Sequence, residues 1–142
     1  GRLLTSEAEI AALVKRMRSC AVLGIKTEAQ ADQPAFYVPQ YIQSAGVKVS
    51  PVPVYSPDVT RILGQPVRRA VAAIGERVDV VDVFRKPSDL MPHLDDLVAA
   101  KPGAVWLQSG IRHEGFARAL VEAGIDVVED RCLMVDMRRY RA

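Results

Sequence analysis

A beat of five short apolar runs restricts this chain most: "CAVLGI" from residue 20, "VKVSPV" from 47, "VDVVDVF" from 78, "AVWLQSG" from 104 and "IDVVED" from 125. Each has the length of a strand, and the segments between them carry helical spacing or turn residues. Strands alternating with helices at intervals of about 20 to 30 residues make parallel βαβ units, whose right-handed crossovers place helices on both faces of one sheet. A small, doubly wound α/β sheet is therefore expected, as one domain over residues 1–142 with its core at about 18–135.

The connecting segments support that reading. In "TSEAEIAALVKRMRS", Ser6 and Glu9 have capping-box spacing, and Ile10, Leu13, Val14 and Met17 recur at helical intervals. In "AFYVPQYIQSAG", Pro39 is compatible with a helix only in its first turn, so the helix is expected to begin near Ala35 or Phe36 and stop at Gly46. Pro51, Pro53 and Pro57 end the second strand at about residue 52, and Ala70 to Ile74 read as a short helical stretch. "KPSDLMPHLDDLVAAKPG" reads as a helix capped by Ser88 and stopped at Pro102-Gly103, and "RHEGFARALVEAG" as another closed by Gly124. Asp79 and Asp82 interrupt the apolar run expected of a strand covered on both faces.

Composition excludes several classes of function. No run approaches 18 uncharged apolar residues, and Glu7, Glu9, Lys15 and Arg16 interrupt any leader-like segment, so a cytoplasmic protein is expected. Cys20 and Cys132 have neither metal-ligand nor disulfide-framework spacing and read as structural thiols. The net charge of +2 is concentrated in the terminal "MRRYRA", where Arg138, Arg139 and Arg141 read as a solvated chain end rather than a nucleic-acid grip. His93 and His113 read as surface or packing residues, and no nucleophile-base or paired-carboxylate arrangement is evident.

In open parallel sheets, ligands bind beyond the carboxyl ends of the strands. That rule selects Gly24 to Pro34, Pro53 to Pro57, Phe84 to Pro87 and Gln108 to Gly110. Gly24 permits a sharp exit from the first strand, while Lys26 and Thr27 offer a cation and a hydroxyl near the start of a helix, where free amides favour an anion. Arg85 and Lys86 suit a phosphate or the face of an adenine. The spacing G-x-G-x-x-G is absent, and the second strand does not end in an acidic residue placed for a ribose, which weighs against the alternative of an NAD(P)-dependent oxidoreductase.

Taken in order, "VLGIK", "GVKVSPVPVYSP", "ILGQPV", "VDVVDVFRKP", "AVWLQSG" and "DRC" resemble the small CoA-binding proteins, which are similar to the amino-terminal CoA-binding domain of the succinyl-CoA synthetase alpha subunit. The resemblance implies a three-layer α/β/α Rossmann-like fold whose five-stranded parallel sheet has the order 3-2-1-4-5. It also implies coenzyme A, or an acyl-CoA, lying across the carboxyl edge, with binding and no ligase catalysis. By position it places CoA phosphates at Gly24, Ile25, Lys26, Thr27 and Glu28, and the nucleotide beside Pro53, Val54, Tyr55 and Ser56. Val83, Phe84, Arg85 and Lys86 would flank the adenine, and Leu107, Gln108 and Ser109 would continue the wall. The loop "KTEAQADQPAF" departs from the family's Ser-Pro-Asn type loop, with Gln33 where an arginine usually precedes the helix; Tyr55 stands where the synthetases tend to carry a lysine, and their phosphorylated histidine belongs to a second domain not found in these residues.

Overall fold

The structure is a computed structural model that describes residues 1–141. Its main sheet contains β1 (Ser19–Leu23), β2 (Lys48–Val52), β3 (Val80–Val83), β4 (Ala104–Leu107) and β5 (Asp126–Val128), all parallel. Helices α1 (Glu7–Arg16), α2 (Pro34–Ser44) and α5 (Leu133–Tyr140) cover one face, and α3 (Leu94–Ala100) and α4 (Glu114–Glu122) cover the other with a 3-10 turn at Val71–Ile74. This is the expected α/β/α Rossmann-like arrangement. The strands nevertheless run β2-β1-β3-β4-β5, so the implied order 3-2-1-4-5 is corrected to 2-1-3-4-5.

The residues of β2 and β3 explain the correction. The Pro51 carbonyl points outward from the sheet and accepts from Arg68 N at 3.0 Å. The N–H that Pro51 lacks would lie on that same outer side, so a further parallel strand there would miss a ladder bond. β2 is consequently an edge strand, with Lys48 exposed. All four residues of β3 are buried, and it fits between β1 and β4, where both of its edges and both of its faces are covered.

Local signals account for most helix ends. The Ser6–Glu9 capping box forms as expected, with Ser6 Oγ accepting from Glu9 N at 3.1 Å and Glu9 Oε1 accepting from Ser6 N at 3.2 Å. The helix expected from Ser88 starts later: Pro87–Asp89 and Met91–His93 form 3-10 turns, and α3 begins at Leu94. Pro87 and Pro92 supply no amide donors to a continuous α-helix. α2 begins one residue before the expected start, at Pro34, and Pro39 therefore lies inside it rather than in its first turn.

The carboxyl-terminal segment read as a solvated tail is instead α5 and its anchors. Arg131 binds Glu7 at 2.8 Å and Asp136 at 2.7 Å, while Arg139 reaches both carboxylates and Tyr140 Oη donates to Glu7. The Arg131 and Tyr140 hydrogen bonds hold the Glu7 carboxyl down at about 2. Arg141 Nη1 donates to the carbonyls of Val14 and Met17 at 2.9 and 2.6 Å, closing the end of α1.

Asp82 lies in the middle of the sheet between Val22 and Trp106, fully buried, and neither carboxylate oxygen has a hydrogen-bond partner. Burial pushes its carboxyl well above the usual carboxylate range. The folded chain therefore keeps this proton while the unfolded chain releases it above about pH 4, so stability falls as pH rises from there toward the raised folded value. Asp82→Val should stabilise the protein by about 1–3 kcal/mol at pH 8, with the gain shrinking toward pH 4. Thermal unfolding at the two pH values checks this, and a gain that does not shrink would show that Asp82 is not held protonated.

Candidate ligand site at the carboxyl edge of the sheet

The chain leaves β1 toward α2 on one face and leaves neighbouring β3 toward α3 on the other. Such a divergence opens a crevice at the carboxyl ends of the two strands, where doubly wound proteins hold ligands. The two chains are in close contact as they separate. Phe84 N donates to Leu23 O at 2.9 Å, Gly24 N donates to Val52 O at 2.9 Å, and a Cβ on Gly24 would stand 2.3 Å from Phe84 O. Gly24 also has φ +86°, so this position requires glycine on two grounds.

Pro39 positions the loop after Gly24. An α-helical residue at 39 would donate its N–H to the carbonyl of Ala35, four residues earlier, and proline cannot. Lys26 N donates to that Ala35 carbonyl instead, at 3.0 Å, tying the loop to the first turn of α2. The rest of the loop is also committed. Ile25 is buried in the core, Thr27 N and Oγ1 both donate to Gln30 Oε1, and Glu28 Oε2 turns outward to accept from Leu63 N at 2.8 Å. Glu28 thus directs its charge toward the hairpin formed by Arg61–Ile62 and Gln65–Pro66.

The side chain of Lys26 remains directed at the crevice, with Nζ 5.2 Å from the centre of the Tyr55 ring. Arg85 approaches the same ring, Cζ to centre 5.8 Å, so two cations flank one aromatic group that is 63% exposed. Arg69, which the sequence did not single out, donates to the carbonyls of Tyr55, Ser56, Pro57 and Val59 and fixes the loop carrying Tyr55. Within that loop Pro53 is buried, Val54 packs against the core and Ser56 has φ +60°.

Arg85 also lines a half-open chamber of about 580 Å³. Phe84, Arg85, Lys86, Gln108 and Ser109 line it, as do Tyr37, Ile111, Cys132 and Met134, which were not assigned to the site from sequence. The last two belong to α5 and its cap, an element that is not legible as a helix in the sequence, and Tyr37 lies one turn into α2. Val83 and Leu107 are fully buried supports rather than surface. Gln108 contributes its edge only, because its Oε1 accepts from Leu133 N at 3.0 Å and so caps α5. The expected residues therefore fall into two neighbouring groups, a cationic cradle of Lys26, Tyr55 and Arg85 and a largely apolar chamber, with Arg85 common to both. Among the described residues, no cluster of three or more His, Cys, Asp or Glu side chains could hold a metal, and no helix is long and apolar enough to cross a membrane.

The fold and this edge define a doubly wound α/β protein of the Rossmann-like class. The chain belongs to the CoA binding domain family, whose model matches residues 18–138. It is 28% identical over 130 residues to the uncharacterized protein YneT of Bacillus subtilis strain 168, covering 92% of this chain and 93% of that one. The structure of cell-free ID.343 from Thermus thermophilus is 43% identical, with a TM-score of 0.86 over 96% of this chain and 99% of that chain. A dinucleotide-forming acetyl-coenzyme A synthetase 1 from Ca. Korarchaeum cryptofilum shares the fold at 18% identity, with a TM-score of 0.66 over 78% of this chain and 25% of that chain.

Replacing Pro39 tests the loop anchor. Pro39→Ala restores an N–H that competes with Lys26 for the Ala35 carbonyl, so the Lys26 amide should exchange with solvent faster in the variant. Hydrogen exchange followed by NMR reads this directly, and an unchanged Lys26 rate would mean that the proline does not matter to the loop.

Proposed function

We propose that this chain binds coenzyme A or an acyl-CoA along the carboxyl edge of its sheet and performs no catalysis of its own, as a single cytoplasmic domain. The observation that carries the proposal is the cationic cradle of Lys26, Tyr55 and Arg85, which meets the apolar chamber at Arg85. CoA has matching chemistry, with phosphates and an adenine at one end and a neutral pantetheine arm, with or without an acyl group, at the other.

In this reading, phosphates lie at Gly24 to Thr27 under the positive charge of Lys26 and Arg85, and the adenine stacks near Tyr55, Phe84 and Arg85. Lys86 and Ser109 stand exposed at the chamber rim, where the arm would turn inward past Tyr37, Ile111 and Met134. β2 runs out into Pro53, Val54 and Tyr55 without a carboxylate, which favours CoA over a nicotinamide dinucleotide held by its ribose.

Thermal unfolding with added CoA tests the proposal. A ligand that binds only the folded chain, at 100 times its Kd, should add about 2.7 kcal/mol of stability. No shift at millimolar CoA would refute the reading. Lys26→Ala and Arg85→Ala should each weaken binding by about 1–3 kcal/mol if the side chain makes a charge-assisted phosphate contact, and by almost nothing if it is merely solvated.

A further inference from the structure

Arg85 links the two halves of the proposed site, and the group nearest its guanidinium is not a carboxylate. Arg85 Nε donates to His93 Nε2 at 3.2 Å, whereas the nearest carboxylate oxygen, Asp89 Oδ2, is 3.9 Å from Nη2. The Arg85 side chain is only 15% exposed, so its base is enclosed and its position is set by these neighbours. To accept this bond, the imidazole must be neutral, with its proton on Nδ1. His93 does not line the chamber.

Three charged groups face the ring: Arg85, Asp89 from the 3-10 turn at Pro87–Asp89, and Asp96 from α3. Asp96 is already engaged, accepting from Val71 N and Ala72 N at 2.8 and 2.9 Å, which holds the 71–74 turn in place. Half-burial, and then the Arg85 charge, keep the His93 imidazole below the usual histidine range. The structure thus favours the neutral ring that the hydrogen bond needs.

We propose that His93 is a positioning residue for the phosphate site: through Arg85 Nε it fixes the guanidinium, so that the hold on a ligand phosphate depends on His93 remaining unprotonated. A protonated ring has no lone pair at Nε2 and carries a charge like that of Arg85. The bond is then lost and the two cations repel, moving the guanidinium away from the crevice toward Asp89 and solvent. This inference rests on the CoA reading, which supplies the phosphate.

CoA affinity measured by calorimetry at pH 8.0 and pH 5.5 tests it in the full chain, His93→Gln and Arg85→Ala. The phosphomonoester of CoA itself titrates near pH 6, equally for every variant, so the difference between proteins isolates His93. The side-chain amide introduced by His93→Gln offers an oxygen acceptor that does not titrate, and this conservative change should rescue binding at low pH. The expected result is that the unaltered protein loses at least about tenfold more affinity on acidification than His93→Gln does, the size of one charge-assisted bond. In an Arg85→Ala background, adding His93→Gln should leave the pH profile unchanged. If His93→Gln does not fold, His93→Asn serves instead, since its side-chain amide likewise does not titrate and should also flatten the profile. Coincident profiles for the unaltered protein and His93→Gln, with CoA bound to both, would overturn the His93 role and leave CoA binding standing. Absence of CoA binding at both pH values would overturn both.

Discussion

The contact between Gly24 and the carbonyl of Phe84 joins β1 to β3 at the point where their chains part, and much of the molecule follows from that adjacency. With β3 directly beside β1, Arg85 emerges next to the loop carrying Lys26, and both cations approach the Tyr55 ring. Had β3 been placed outside β2, the strand ends carrying Arg85 and Lys26 would not be neighbours. The same adjacency puts Asp82 between Val22 and Trp106, where it has no hydrogen-bond partner. Strand order thus decides both which charges meet and which carboxyl is isolated.

The loops at this edge are held by bonds that regular secondary structure leaves available. Pro39 leaves the Ala35 carbonyl without its helical donor, and Lys26 uses it. Arg69 gathers the carbonyls of Tyr55, Ser56, Pro57 and Val59, which belong to no ladder, and Gln108 supplies an acceptor for the first amide of α5. Each of these is a polar group that would otherwise depend on water. Neither the Lys26 nor the Tyr55 side chain takes part in these bonds.

Periodicity made the α/β alternation legible, because a buried strand and an amphipathic helix each repeat at their own interval within a few residues. The capping box at Ser6 and Glu9 was legible for the same reason, being a local pattern. Strand order was not, since it depends on whether β2 can accept a second neighbour; the outward-facing side of Pro51 is the residue-level clue, and it becomes readable only once the register with Val22 is known. α5 escaped because its first amide is capped from a distance by Gln108 and its ion pairs reach back to Glu7, so no local cap or stop marks it in the sequence. The chamber escaped with it, as Cys132 and Met134 reach the site only when that helix is in place. The loop residues Gly24, Lys26, Tyr55 and Arg85 could be singled out because ligands in parallel sheets bind beyond the carboxyl ends of the strands, whereas the approach of Lys26 and Arg85 to one ring depends on the strand order.

The two margins of the sheet are closed by different means. At β5, residues 2–4 lie alongside as a short parallel partner, with Leu4 N donating to Val127 O and Val127 N donating to Arg2 O. At β2, the outer side lacks the Pro51 donor and carries the exposed Lys48, which pairs with Glu76. An open margin would present an unbroken row of amides and carbonyls to any extended segment nearby. Here neither margin offers one: a proline interrupts the row at one side and the chain's own amino-terminal residues cover it at the other.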